Sequence, residues 1–451
     1  MPSSTNTATA ANGGWQTWLR EYVAQRLRSD ILHNAAWILS GQGLQLAGRL
    51  AYFVIVAHVL GPAGYGTFVA CTALVAAMSP FGSWGTGHVM IKYVARDRNV
   101  LPAYFGNALL VTVGCGSLLT LFALVIRPSV LPVSATTAML LAVAIADLLG
   151  TEMTSICYQV FQVFEQARQY AQLLTLSTAL RLIAALLLAV STPSPTRWAY
   201  LYAGSSIIAT AWGLIVVSRH CAKPRLQLNL LVPSVREGFH FATSVASQSV
   251  YDDIDKTMLA RLGTVESAAI FAVAARFVEA AMLPIRALAV ATYPEFFRQG
   301  MQGVSPAFEF ARRILRRSVI YGMATALFLF LAAGFVPLIM GPAYAESAVA
   351  LRWLCLLPVI KSVHAFLTDT LTGANYQWQR SSSQIAVAVF SVLVNLWIIP
   401  AFAWRGAAGS SLLTNSLLLI LLYGIIRWHL KREQAAPRVA TPQPVFATEE
   451  K

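Results

Sequence analysis

The chain has 451 residues, 57% of them hydrophobic and only 12% charged, and carries a formal net charge of +14. Soluble globular proteins hold about 25% charged residues, whereas the apolar residues here come in runs of about 20, enough to cross a hydrocarbon core about 30 Å thick. A soluble enzyme, a disordered chain and a disulfide-stapled secreted domain are excluded, leaving a polytopic, all-α membrane protein.

The first 14 residues are small and polar, with no basic stretch feeding an apolar core, so no signal peptide is expected. Trp15, Trp18, Leu19, Tyr22 and Val23 then recur at helical spacing among Arg20, Arg26 and Arg28. That pattern predicts a helix on the cytoplasmic membrane surface, within an N-terminal segment 1–33. Six candidate spans follow, at 34–57, 66–91, 105–126, 135–158, 172–190 and 198–218, forming an N-terminal lobe over 34–218. Residues 219–238 hold Arg219, Lys223, Arg225, Arg236 and Glu237 and read as a cytoplasmic linker. Six more spans, at 239–260, 265–293, 318–338, 347–371, 384–403 and 406–426, make a C-terminal lobe over 239–430. The tail 431–451, rich in proline and charge, is expected to be disordered.

With a cytoplasmic N-terminus, 22 of the 33 lysines and arginines fall on the cytoplasmic side and only Arg127, Arg197, Arg261 and Arg405 outside. This positive-inside bias places both termini in the cytoplasm. It also accounts for the basic excess without nucleic acid. Cys71, Cys115, Cys157, Cys221 and Cys355 are too widely spaced for a metal cluster. No metal or cofactor is expected.

The two halves echo each other. Leu60-Gly61 corresponds to Leu262-Gly263, Phe68 to Phe271, and Ala76-Ala77-Met78-Ser79-Pro80 to Ala280-Ala281-Met282-Leu283-Pro284. Six spans per half give parallel repeats, whose substrate site lies between the lobes. Pro80, Pro284 and Pro358 fall inside spans and predict kinks, either static or lining a cavity.

Charges inside spans are costly, about 2.5–3.5 kcal/mol each for a central Arg, Lys or Asp on insertion scales. The cations are Arg49, Arg181, Lys256, Arg276, Arg286, Arg352 and Lys361; the acids are Asp147, Glu152, Asp252, Asp253, Asp255, Glu279 and Asp369. Arg276, Glu279 and Arg286 share an arc of about 80° and Asp252, Asp255 and Lys256 one of about 100°, at 100° per residue. Arg49, Asp252, Lys256 and Arg276 reach similar depths, from the centre to the outer half. Each charge also has a structural reading: Arg276 neutralising Glu279 at i, i+3, Lys256 pairing with Asp252 at i, i+4, Arg286 snorkelling to the surface. On a straight helix Arg352 and Lys361 face opposite ways. A cation-lined cavity would need an anion, and guanidinium groups recognise phosphate through paired donors, so a lipid-linked diphosphate suits it. The histidines are scattered, with no zinc pair, no phosphate loop and no long outer loop for acid–base work.

Several segments then resemble a known family. They are Leu60-Gly61-Pro62-Ala63-Gly64-Tyr65-Gly66-Thr67-Phe68; Asp252-Asp253-Ile254-Asp255-Lys256-Thr257-Met258-Leu259; Ala269-Ile270-Phe271-Ala272-Val273-Ala274; Tyr293-Pro294; and Gly341-Pro342-Ala343-Tyr344. Together, over about residues 34 to 430, the chain resembles the bacterial polysaccharide-biosynthesis (Wzx-type) flippases of the multidrug/oligosaccharidyl-lipid/polysaccharide exporter superfamily. Ala269 stands where many members have glycine. The resemblance implies a V-shaped bundle of two six-helix lobes in the bacterial inner membrane, working by alternating access. Undecaprenyl-diphosphate-linked glycan repeat units would move from the cytoplasmic to the periplasmic leaflet, coupled to H+ or Na+. The products would serve O-antigen, capsule or exopolysaccharide synthesis, beside polysaccharide polymerase and chain-length proteins. On this basis Lys256 and Arg276, with Arg49 and Arg286, are expected to hold the diphosphate. Asp252, Asp255 and Glu279 are expected to pair with these cations or couple an ion. Two alternatives stand beside it: a multidrug cation antiporter, which would want an aromatic and acidic cavity, and a membrane polysaccharide polymerase or ligase, which would want an outer catalytic loop.

Overall fold

The computed structural model describes residues 12–164 and 166–435, with side chains from Gly43 onward except at 240, 244, 247, 248, 251, 290, 291, 294 and 435. The side chains of the expected surface helix at 15–28, and residues 436–451 of the expected tail, lie outside that description. The chain divides into two compact units, Met1–Ser249 and Val250–Lys451.

In the first unit, helix α1 (Asn12–Met78) breaks at Gly61, where φ is 64° and ψ 176°. Only glycine reaches that conformation without strain. Pro62 follows, its missing N–H costing nothing at a new helix start. A tight turn at Ser79–Phe81 carries Pro80, and left-handed Trp84 (φ 51°) and Gly85 (φ 69°) lead into α2 (Thr86–Val94). A methyl group on Gly85 would lie 2.3 Å from the Gly238 carbonyl oxygen, so the backbones meet here without side chains between them.

Next come α3 (Leu101–Val130) and α4 (Thr137–Ala144), the latter passing through a π-helical turn (Ile145–Thr151) into α5 (Glu152–Val163). Helices α6 (Ala167–Ala189), α7 (Pro195–His220) and α8 (Leu228–Leu262) follow. Helix α3 reads inside out relative to a soluble helix. It buries Ala108, Thr112, Gly116 and Thr120 at four-residue spacing, while Leu118, Leu121, Phe122 and Val125 are exposed. Small residues inward and large apolar residues outward are what lipid selects, because hydrocarbon gives no penalty for exposing leucine. The unit's core joins Met90, Phe105, Val160, Phe161, Leu173 and Val217, and fully buried Trp198 packs with Tyr52, Phe68 and Tyr202.

The stretch expected as a linker is not a loose one. Asn107 exchanges two hydrogen bonds with the backbone of Gln227 (2.8 and 3.1 Å), Arg225 N–H donates to Pro102 at 2.8 Å, and α8 starts at Leu228. Lys92 pairs with Glu237 at 2.5 Å and Tyr93 donates to the same carboxylate. The bond from Lys92 holds the Glu237 carboxyl below its ordinary range.

The second unit takes the end of α8, then α9 (Val265–Ala281), α10 (Leu283–Gly300) and α11 (Val304–Ala332). Short α12 (Val336–Met340) precedes α13 (Ala345–Leu354), α14 (Leu357–Gly373) and α15 (Gln377–Ala435). Breaks near Pro284 and Pro358 each bend their helix pair by 46°, and Ala403 (φ 47°) interrupts α15. The break after α1 near Pro80 and the break before Pro284 occupy equivalent places in the sequence echo. Thr264 caps α9 by accepting from Ser267 N–H at 3.1 Å, as Thr136 and Ser194 cap α4 and α7. The start of α11 has no cap of its own; Glu433, at the far end of α15, accepts from Val304 N–H (2.6 Å) and Ser305 N–H (2.9 Å).

Seven helical stretches are long and apolar enough to cross a membrane, and the two bent pairs raise the number to nine. Two of the seven are too long for one crossing and are broken at Gly61 and Ala403, so each makes two passes. Helix α8 is 35 residues long and carries Asp252, Asp253, Asp255 and Lys256, and it is not among these stretches of the described residues.

Candidate functional site

The charge-bearing face of the second unit is assembled from α8, α9, α14 and α15. Lys256, whose side chain is 6% exposed, reaches Asp253 Oδ1 at 2.5 Å and Glu279 Oε1 at 3.6 Å. Arg276 Nη1 donates to Glu279 Oε2 at 2.9 Å, with its own side chain 52% exposed. Signs therefore alternate along Asp253, Lys256, Glu279 and Arg276, with Glu279 shared between a buried ammonium and an accessible guanidinium. Arg286 and Lys361 also contribute to the field at Glu279, and Arg286 is itself exposed. From α14, Lys361 Nζ donates to Asp252 Oδ1 at 2.7 Å.

These contacts correct part of the sequence reading. Arg276 and Glu279 pair as the i, i+3 spacing implies. Lys256 does not take Asp252; Asp253, one position later, has turned toward it and Asp252 faces α14. Arg352 and Lys361 do not sit on one straight helix either. The 46° bend separates α13 from α14, and Arg352 lies over the Phe330 ring at 5.6 Å. The expected pairing of acids with the cations is met by Glu279, with Lys256 and Arg276, and by Asp252, though with Lys361, while Asp253 joins as a partner of Lys256. Arg49 is exposed and belongs to the first unit.

Asp255 is separate in character. It is 2% exposed and makes no ion pair within 4 Å among the described residues. Oδ1 accepts from Asn395 Nδ2 at 2.6 Å and Ser391 Oγ at 3.4 Å, and Oδ2 from Ser411 Oγ at 2.7 Å. Helix α15 presents these donors from both sides of its break at Ala403. Asn395 Oδ1, Asn415 Oδ1 and Thr414 Oγ1 are buried near α15's inner face with no hydrogen-bond partner among the described residues. Asp255 is thus a buried carboxylate held by neutral donors alone. Among the described residues no three His, Cys, Asp or Glu side chains are grouped to hold a metal.

Sequence reasoning named Lys361 and Asp253 as intramembrane charges but not as members of this cluster, and missed Ser391, Asn395 and Ser411. A signal existed for the last group: Ser391 and Asn395 stand at i, i+4 in an otherwise apolar helix. Helix packing is the default role of such residues, so the signal carried little weight.

The first unit holds its own polar cluster. Tyr202 donates to Asp147 Oδ1 at 2.8 Å, and Arg181 lies 3.6 Å over the Tyr202 ring while bonding Ser206 at 2.8 Å. Ser79 donates to Glu152 Oε1 at 2.6 Å. Arg181, Asp147 and Glu152 are thus satisfied locally, as intramembrane charges must be.

Comparison with known proteins places these features. Residues 31–299 match the profile of a family described as "Polysaccharide biosynthesis protein". Among solved structures, the chain is similar to a multidrug resistance MATE family transporter of the MOP superfamily in its inward-facing conformation. The TM-score is 0.71 at 16% identity, over 88% of this chain and 96% of that one. The outward-facing conformation of such a transporter gives 0.60 at 16% identity, over 90% and 97%. A MOP superfamily transporter from Pyrococcus furiosus, described as having a binding pocket of reverse polarity, gives 0.62 at 16% identity, over 90% and 96%. No curated protein matches the chain. At these identities the structures establish the fold, that of MOP superfamily transporters.

Proposed function

The chain belongs to the polysaccharide biosynthesis protein family, and we propose that it is a flippase for lipid-linked oligosaccharides. Its substrates on this reading are undecaprenyl-diphosphate-linked glycan repeat units, carried from the cytoplasmic to the periplasmic leaflet of the bacterial inner membrane. The observation that carries the reading is the shared carboxylate. Glu279 neutralises Arg276 and Lys256 together, so a diphosphate arriving at the accessible guanidinium competes with Glu279 for both cations. Arg276 offers paired donors to phosphate oxygens, Arg286 supplies a further exposed cation, and Lys256 supports from beneath. Displacing Glu279 leaves a carboxylate that must find another partner. The unit's charge pairing therefore differs between empty and loaded states, which is the differential interaction a state change requires.

Asp255 is the residue proposed to couple an ion. Its oxygens and the unfilled acceptors of α15 suit H+ or Na+, and α15 is broken between its donors, so occupancy would bias how the two parts of that helix pack. The multidrug antiporter reading keeps the support of the fold alone. The polymerase or ligase reading has no feature of the site in its favour.

The test is equilibrium binding of an undecaprenyl-diphosphate oligosaccharide to the purified full chain in nanodiscs. Arg276→Ala should weaken binding about tenfold or more, the effect of losing a charge-assisted pair, while Arg352→Ala should leave it unchanged. Equal affinity of wild type and Arg276→Ala, with both proteins folded, would remove Arg276 and the shared-carboxylate mechanism.

A further inference from the structure

A cavity of about 420 Å³ lies within the first unit, lined by Asp147, Glu152, Gln159, His88, Phe241 and Ser249 among others. It has no part in the cation network described above. We propose that it is a subsite for a sugar ring without an anionic group, an uncharged or amine-bearing residue of the transported glycan. This rests on the glycan-transport reading and names which part of the substrate the first unit takes.

The lining has the chemistry of such a ring. Asp147 accepts from Tyr202 and from Thr151 (3.3 Å), and Glu152 accepts from Ser79. A carboxylate offers about four lone-pair directions, so both keep capacity for further donors. Neither comes within 4 Å of a basic side-chain nitrogen among the described residues. The Gln159 side-chain oxygen is buried and without a hydrogen-bond partner among them. The site is thus rich in acceptors that lack donors, and sugar hydroxyls and amines are donors. Ser155 and Ser249 can give as well as accept, as vicinal hydroxyls require. Phe241 stacks on His88 (5.6 Å, 23°) and, with Pro80, supplies an apolar surface for the C–H face of a pyranose. Arg181, over the Tyr202 ring that bonds Asp147, offsets part of that charge, but Glu152 has no basic nitrogen within 4 Å among the described residues, so a phosphate or uronate would meet it uncompensated and be repelled. The volume falls in the range of about 300–1,000 Å³ usual for small-ligand sites.

The backbone is arranged to make this room. The π-helical turn at Ile145–Thr151 turns Asp147 and Glu152 out of regular α-helical phase, and π turns interrupt helices mostly where a site needs a side chain re-aimed. On the other wall, the break around Pro80 and the left-handed residues Trp84 and Gly85 hold α2 away from the second half of α1. In the expected topology these elements belong to the central and cytoplasmic parts of their spans, the side from which the glycan is loaded.

The experiment is saturation-transfer NMR on the full chain in nanodiscs, with glucose, glucosamine, glucuronate and tetraphenylphosphonium as separate probes. Glucose and glucosamine should bind and glucuronate should not. Glu152→Gln keeps an acceptor for Ser79 and should weaken glucosamine relative to glucose about tenfold, a change of selectivity that a purely structural residue would not cause. Gln159→Leu should weaken both binding sugars. Arg276→Ala should leave sugar binding untouched, so loss of the diphosphate site and loss of this subsite are separately visible. Absence of sugar binding in wild type, binding unaffected by both cavity variants, or binding of tetraphenylphosphonium alone would overturn the proposal.

Discussion

At Lys256 a buried ammonium is held by two acids from different helices, Asp253 below it and Glu279 across from it. Lys256→Met would leave Asp253 without its partner and Glu279 with Arg276 alone, and should lower stability by about 1–3 kcal/mol, read as a fall in the midpoint of thermal unfolding in detergent. Asp255→Asn should act otherwise. It retains an acceptor for Ser411 or Asn395 but removes the charge, so transport stimulated by an imposed H+ or Na+ gradient should be lost while binding of the lipid-linked substrate persists. Gradient stimulation equal to wild type would dismiss Asp255 as the coupling residue. The sequence distinguishes these residues only partly. Arg276 and Glu279 are neighbours on one helix, so spacing alone pairs them. Asp252, Asp253 and Asp255 stand within one turn, and a few tens of degrees of helix rotation decides which meets Lys256, which meets Lys361 and which is buried against α15. That rotation is set by packing against α14 and α15, not by local spacing.

Among the elements, breaks rather than helices carry the information. Gly85 sits at φ 69° with no space for a methyl group beside the Gly238 carbonyl. Gly85→Ala should therefore destabilise the first unit by more than the roughly 1 kcal/mol of an ordinary glycine replacement, and lower the yield of folded protein. Glu433→Ala should cost about 1 kcal/mol by uncapping α11, with a smaller effect for Glu433→Gln, which keeps an acceptor. Thermal unfolding of the two variants side by side would decide it; equal midpoints for both and wild type would show the cap to be idle. Pro80, Pro284 and Pro358 announce their breaks in the sequence because a proline removes a helical hydrogen bond wherever it falls. The π turn at Ile145–Thr151 has no such marker. Its extra residue is accommodated by Thr210, which donates to the Gly150 carbonyl at 2.9 Å from a helix sixty residues away. The sequence of the linker likewise does not show that Asn107 and the Pro102 carbonyl pin it to α3.

For the molecule as a whole, hydropathy runs foretell a polytopic all-α membrane protein, and the all-α fold shared with MOP superfamily structures agrees. The direction of transport and the identity of the cargo are not properties of span number; they depend on the polar groups displayed within the helices. On the proposed reading the second unit takes an anionic lipid headgroup and the first an uncharged or amine-bearing sugar. The most direct measurement is translocation in proteoliposomes, using an undecaprenyl-diphosphate oligosaccharide whose exposure is read by a membrane-impermeant glycan-modifying enzyme. Wild type should render the inner-leaflet pool accessible, faster with an imposed H+ or Na+ gradient, and Arg276→Ala should not exceed protein-free vesicles. Folded wild-type protein that moves cationic dyes but leaves the lipid-linked glycan where it was placed would contradict a flippase.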